Sequence, residues 1–169
     1  MELRPTSDRL RETLFDILQG RIEGSFFVDG YAGTGAVGIE ALSRGARLVA
    51  FLEKHKPSAA LIRRNLESLG IGEGAEVITG DVLKGLESLA RRGMTADILF
   101  FDPPYAEQDE YTRVLEALSD SPLVGPGSLL IFERARKMTL EAAYGRLAYT
   151  RTVVQGDAAL EFYQLASAS

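Results

Sequence analysis

The residues suited to chemistry in this chain gather in four short stretches, of which Asp102-Pro103-Pro104-Tyr105 is the most distinctive. An apolar run at 98–101 leads into it and reads as a strand buried on both faces. Neither proline has an amide hydrogen to give a sheet ladder, so the strand must end there. Each proline also holds the residue before it extended. The result is a stiff loop that offers a carboxylate, carbonyls without a sheet partner and a tyrosine ring. Such a loop can accept hydrogen bonds from an amino group and stack on a flat substrate. In open α/β sheets, the carboxyl ends of the strands are where ligands bind.

The other three stretches describe a nucleoside site. Gly33-Thr34-Gly35-Ala36-Val37-Gly38 has the spacing G-x-G-x-x-G, after a short apolar strand at 26–28 and at the start of a helix predicted over 36–44. Glycine lets the backbone approach a ligand, and a helix N-terminus offers free amide hydrogens. A second strand, 47–52, ends at Glu53, twenty residues after Gly33, where an acid can bind both ribose hydroxyls of an adenosine. Asp81 follows a third strand, 76–79, and can accept from an adenine amino group, cap the helix predicted over 82–91, or do both. Asp29, just before the glycines, would repel a pyrophosphate but suits a cationic ammonium group.

An adenosine with a cationic, amino-acid-like tail is S-adenosylmethionine, whose product is S-adenosylhomocysteine. Asp29 or groups near it would hold the ammonium, Glu53 the ribose, and Asp81 with Val82 the adenine. Gly30, Tyr31, Gly33, Gly35, Lys54 and Asp102 complete the expected cofactor-binding set. The 102–105 loop lies where the methyl group would emerge. An exocyclic amine is a poor nucleophile because its lone pair is delocalised into the base or amide. Hydrogen bonds to the Asp102 carboxylate and Pro103 carbonyl would favour the localised form and aim the lone pair along the sulfur–methyl axis. Pro104 would stiffen the loop, and Tyr105 would stack on the substrate, worth about 1–3 kcal/mol for a nucleobase. A base in folded RNA would have to be flipped out to reach such a pocket. The chemistry needs no metal.

Composition narrows the alternatives. The chain has no cysteine and one histidine, His55, which excludes thiolate metal sites and cysteine nucleophiles and argues against a Ser-His-Asp triad. No apolar run approaches the ~20 residues of a membrane span, and no signal-peptide pattern opens the chain, so a cytoplasmic protein is expected. The net charge is −5, divided as +1 over residues 1–72 and −6 over 73–169. The basic groups Arg9/Arg11, Lys54/Lys56, Arg63/Arg64, Arg91/Arg92 and Arg134/Arg136/Lys137 form a phosphate track only if folding brings them to one face.

An α/β fold would position these stretches. A helix predicted over 7–19, capped by Thr6 or Ser7, presents Leu10, Leu14, Ile17 and Leu18 on one side and must pack on the sheet. Helices are also predicted over 57–69 and 109–118, and a strand over 128–133. Two β-rich runs, 146–154 and 159–165, flank Gln155-Gly156-Asp157 and read as a terminal hairpin. The expectation is a Rossmann-like, class I methyltransferase fold in one domain over 1–169. It would have a seven-stranded mixed sheet, helices on both faces and a C-terminal antiparallel hairpin.

The segment Arg4-Pro5-Thr6-Ser7-Asp8-Arg9-Leu10-Arg11-Glu12-Thr13-Leu14-Phe15, the loop 29–38 with the 39–46 helix, the run 101–105 and the tail 156–163 resemble the RsmD family. Its members are bacterial methyltransferases that modify the N2 amine of a guanine in 16S ribosomal RNA. The resemblance implies that Thr6 and Arg9 help close the pocket, near the cofactor's carboxylate or the target base. Tyr31 stands where the family usually has phenylalanine. The family's basic N-terminal arm would precede Arg4, and it is expected to be absent from this chain.

The expected partner is ribosomal RNA within a small-subunit particle, with the enzyme acting as a monomer. The alternative is a protein glutamine N5-methyltransferase or another amino-methyltransferase of the same loop type. Glutamine methyltransferases use a related Asn-Pro-Pro-Tyr loop, so Asp102 and the opening motif argue against them. A DNA methyltransferase would need a target-recognition domain for which 169 residues leave no room. A dinucleotide dehydrogenase or a non-catalytic nucleotide-binding module would have no use for the intact 102–105 loop.

Overall fold

The computed structural model describes residues 7–104 and 107–166. Helix α1 (Asp8–Ile17) comes first, and the Ser7 hydroxyl caps it by accepting from the Leu10 amide. Then follow β1 (Phe26–Gly30), α2 (Ala36–Ser43), β2 (Leu48–Glu53), α3 (Lys56–Ser68), β3 (Ala75–Thr79), α4 (Val82–Arg91), β4 (Ala96–Phe101) and α5 (Gln108–Ser119). The chain continues through β5 (Val124–Ala135), β6 (Ala143–Tyr144), β7 (Leu147–Gln155) and β8 (Ala158–Leu165).

The strands form one sheet in the order β3-β2-β1-β4-β5-β8-β7-β6. The first five are parallel, and β8, β7 and β6 add antiparallel pairs. The sheet is thus mixed and ends in an antiparallel hairpin, as expected, with eight strands in place of seven. The extra strand, β6, is two residues long and turns tightly into β7 at Gly145, whose φ is +58°. Two residues carry no alternation to read, and Tyr144 is held by contacts distant in sequence, packing edge-on against Tyr163.

Strand residues alternate between two cores. Phe26, Val28, Leu99, Phe101, Leu130 and Phe132 face α4 and α5. Phe27, Val49, Phe51, Ile98, Phe100 and Ile131 face α1, α2 and α3. Because both faces are covered, the central strands read as unbroken apolar runs. Helix α1 lies against the second face through Leu10, Leu14 and Phe15, with the Phe15 ring stacked on Phe27 at 6.4 Å. It leads into the start of β1, so its first residues lie at the opposite edge. There the Thr13 hydroxyl donates to Gln155 Oε1 beside the β7–β8 turn.

Strand order reverses between β1 and β4, and their carboxyl ends open the crevice where α/β sheets hold ligands. Among the described residues, no helix is long and apolar enough to cross a membrane.

Gly38 sets how closely α2 lies on the sheet. A Cβ there would fall 2.4 Å from the Phe51 ring and 2.9 Å from Val49. Both neighbours are fully buried, so neither can move aside. Gly38→Ala is expected to destabilise the protein by about 1–3 kcal/mol through overpacking. Urea unfolding measures this, and an unchanged midpoint would show that the helix is free to lift.

Candidate active site

Four strand ends build the site. At the end of β1, Asp29 is 2% exposed, and its Oδ2 accepts from the Gly38 amide at 3.0 Å. It thereby satisfies one of the free N–H groups in the first turn of α2. Its other oxygen takes no hydrogen bond among the described residues. Burial pushes the Asp29 carboxyl well above its ordinary range. The Gly38 bond opposes that shift, while the charges of Asp102 and Glu53 add to it.

The chain then turns sharply. Tyr31 has φ +59°, a left-handed conformation that costs a non-glycine residue about 1–2 kcal/mol. The turn is fastened by Ala32 N–H donating to the Leu52 carbonyl at 2.9 Å. The Tyr31 ring meets Phe101 edge-on, and its hydroxyl donates to Glu110 Oε2 at 2.5 Å. Gly35, at φ +81°, begins α2 with no side-chain cap.

Glu53 is buried at the end of β2. Its Oε1 accepts from Gly33 N–H at 2.7 Å and its Oε2 from His55 N–H at 2.8 Å. One carboxylate therefore braces the glycine loop against the start of α3. A carboxylate has roughly four lone-pair positions, so acceptor capacity remains for a ligand. Lys54 beside it is exposed.

Asp81 caps α4, accepting from Leu83 N–H at 3.2 Å, with Val82 buried behind it. The sequence left Asp81 as a helix cap, an adenine acceptor or both; the cap is present. Its carboxylate also takes two N–H groups of Arg113, at 2.8 and 3.2 Å, which hold it below the ordinary carboxylate range.

Asp102 follows the last residue of β4 and is half-buried beside Asp29, in line with the parallel register of Gly30 with Phe101. Pro103 is buried, and the Pro104 carbonyl accepts from Glu107 N–H at 3.1 Å. Helix α5 is anchored to β5 and the loop beyond it by the Tyr111 hydroxyl on the Glu133 carbonyl (2.7 Å) and by Gln108 Nε2 on the Thr139 carbonyl (2.9 Å). Thr6 and Tyr105 lie outside the described residues. Arg9 is exposed near the start of α1, at the same edge of the sheet.

Folding thus brings Glu53 and Asp102 each within electrostatic reach of Asp29. Among the described residues no ion pair reaches Asp29 or Glu53. Such a site is built for a cation and hostile to a pyrophosphate. Among the described residues, no group of three or more histidine, cysteine or acidic side chains could hold a metal ion. Glu110 and Arg113 escaped the sequence reading. Their i,i+3 spacing in α5 looks like a solvated helix face, and nothing local shows that Arg113 reaches back to Asp81.

Of the basic groups, Arg134, Arg11, Arg91 and Arg92 engage partners within the fold. Arg134 is buried, pairs with Glu161 at 2.8 Å, and donates to the carbonyls of Ala135, Arg136 and Met138. Arg11 binds Asp8 and Glu40, Arg91 binds Glu87, and Arg92 binds Glu76.

A family model described as Conserved hypothetical protein 95 matches residues 1–164. The ribosomal RNA small subunit methyltransferase D of Haemophilus influenzae is 38% identical over 143 residues, or 82% of this chain and 71% of that protein. The chain belongs to this methyltransferase D family. The Escherichia coli protein of the same name is 32% identical over 96% of this chain and 79% of its own length. The family fold is shared with the solved yhhF protein of Escherichia coli. It gives a TM-score of 0.83 at 31% identity, covering 96% of this chain and 87% of that one.

The raised carboxyl of Asp29 has a stability consequence. A group whose folded value exceeds its unfolded one contributes stability that is complete below the unfolded value, near 3.8, and lost as pH rises through the folded value. Asp29 therefore costs stability as pH rises above that unfolded value. Asp29→Asn keeps an acceptor for Gly38 and is expected to raise Tm at pH 7 by about 2–4 °C. The gain should shrink as pH approaches 4. A variant that melts below the wild type at pH 7 would refute this.

Proposed function

We propose that this chain, as a single domain, transfers the methyl group of S-adenosylmethionine to the exocyclic N2 amine of a guanine in 16S ribosomal RNA. The observation that carries the reading is Asp102 emerging from β4 next to the buried acids Asp29 and Glu53, at the point where strand order reverses. Membership of the methyltransferase D family supports the ribosomal RNA substrate.

The residues present fit the cofactor. When bound, S-adenosylmethionine supplies an activated methyl group on a cationic sulfur. Asp29 and Glu53, both buried and without ion pairs among the described residues, favour a cation at this edge. The backbone of Gly30, Tyr31, Gly33 and Gly35 would border the tail, and Glu53 keeps acceptor capacity for the ribose. Asp81, Val82 and Lys54 border the adenine end, and Thr6 and Arg9 close the pocket.

The work of catalysis is positioning. The Asp102 carboxylate and Pro103 carbonyl accept from the target amine and localise its lone pair, while Pro104 stiffens the loop and Tyr105 stacks on the base. The substrate is rRNA within a small-subunit particle, and the enzyme acts as a cytoplasmic monomer.

Two variants and one assay test this reading. Asp102→Ala is expected to lose about 10²–10³-fold in methyl transfer while keeping its affinity for S-adenosylhomocysteine. Glu53→Gln should instead weaken that affinity about tenfold by calorimetry, equivalent to ~1.4 kcal/mol. Labelled methyl should appear on a guanine N2 of small subunits that lack this mark. Label on protein glutamine, or full activity in Asp102→Ala, would sink the proposal.

A further inference from the structure

Four side chains form one continuous hydrogen-bonded relay across the ligand edge. The Tyr31 hydroxyl donates to Glu110, and Arg113 grips both oxygens of Glu110 at 2.8 Å. The same guanidinium reaches across to both oxygens of Asp81, at 2.8 and 3.2 Å. The relay joins the glycine loop, α5 and the cap of α4, which lie 79 and 32 residues apart along the chain. Arg113 serves two carboxylates at once, and it holds both below their ordinary range. Helix α5 has no side-chain cap of its own. On the side of α5 toward the glycine loop, its first turns are held by this relay.

We propose that Arg113 is a positioning residue that links the adenine end of the cofactor site to the start of α5, the helix that follows the 102–105 loop. The proposal rests on the methyltransferase reading above. With an Arg113 N–H on each oxygen and Leu83 N–H on one of them, the Asp81 carboxylate cannot rotate freely. A ligand amino group at Asp81 shares its acceptor with Arg113. Occupancy at Asp81 and order in α5 therefore draw on one cation, and coupling between them is reciprocal. Glu110 and Tyr31 carry the restraint on to the glycine loop.

Two measurements on the full chain test the link. One is amide exchange over 107–114, with and without S-adenosylhomocysteine. The other is the calorimetric preference for that product over its 6-oxo analogue, which lacks the adenine amino group. In the wild type the product should slow exchange over 107–114 and bind more tightly than the analogue. Arg113→Met should abolish the slowing and reduce the preference by about threefold or more.

Tyr31→Phe keeps the ring and should lose much of the slowing alone; it carries the exchange test if Arg113→Met fails to fold. Arg92→Met, which removes only the distant pair with Glu76, should change neither readout. Equal slowing in the wild type, Arg113→Met and Tyr31→Phe would overturn the link. So would a wild type that binds the product with no change over 107–114, and the methyltransferase reading would survive both results. A wild type that does not bind the product would overturn that reading and this inference together.

Discussion

A carboxylate that water barely reaches, Asp29 at the end of the central strand, is the constraint around which the site is arranged. Removing an acid from water is costly unless its charge or its oxygens find partners. Asp29 finds one in the Gly38 amide, and that bond requires α2 to lie close upon β1 and β2. Only a residue without a side chain permits the approach, because Phe51 and Val49 already fill the space. The parallel register of β1 and β4 then sets Asp102 alongside. Glycine spacing, helix placement and the acidic cluster are consequences of seating one carboxylate.

Several groups serve the fold and the site together. Glu53 ties two loops through their amides while keeping acceptor capacity toward the crevice. Tyr31 sits in a strained backbone conformation, and strain of this kind persists where the surroundings over-determine it. Here the Leu52 carbonyl, the Phe101 ring and Glu110 do so. Acids of the same kind are pushed in opposite directions within the site. Burial raises Asp29, whereas the shared Arg113 lowers Asp81 and Glu110. The cleft thus combines an acid that burial keeps from ionising readily, Asp29, with two that Arg113 keeps ionised, Asp81 and Glu110.

Much of this was legible from residue order. The apolar runs at 26–28 and 98–101 announce doubly buried strands, and the boundaries of α2, α3, α4 and α5 lie close to those predicted from caps, glycines and prolines. Asp29, Glu53, Asp81 and Asp102 are each legible as acids at or just beyond the end of a strand. What escaped notice depends on contacts across the chain. Strand β6 is too short to have a period. The triplet Arg134, Arg136 and Lys137 looks uniform in sequence, yet Arg134 turns inward to Glu161. The Tyr31 hydroxyl has no partner that residue order shows, because Glu110 lies 79 residues away along the chain.

The sequence by itself determined what is local or periodic: which segments are helix or strand, where proline and glycine break them, and that acids stand at the strand ends. Those features follow from backbone sterics and burial patterns that reach over a few residues. The tertiary structure decided which charges meet. Asp29 gained its raised carboxyl chiefly from burial, with Asp102 and Glu53 at neighbouring strand ends adding to it, and Arg113 gained its two partners from α5 itself and from the cap of α4. Electrostatic coupling depends on distance through space and on exclusion of water, and residue order encodes neither until the sheet has closed around the site.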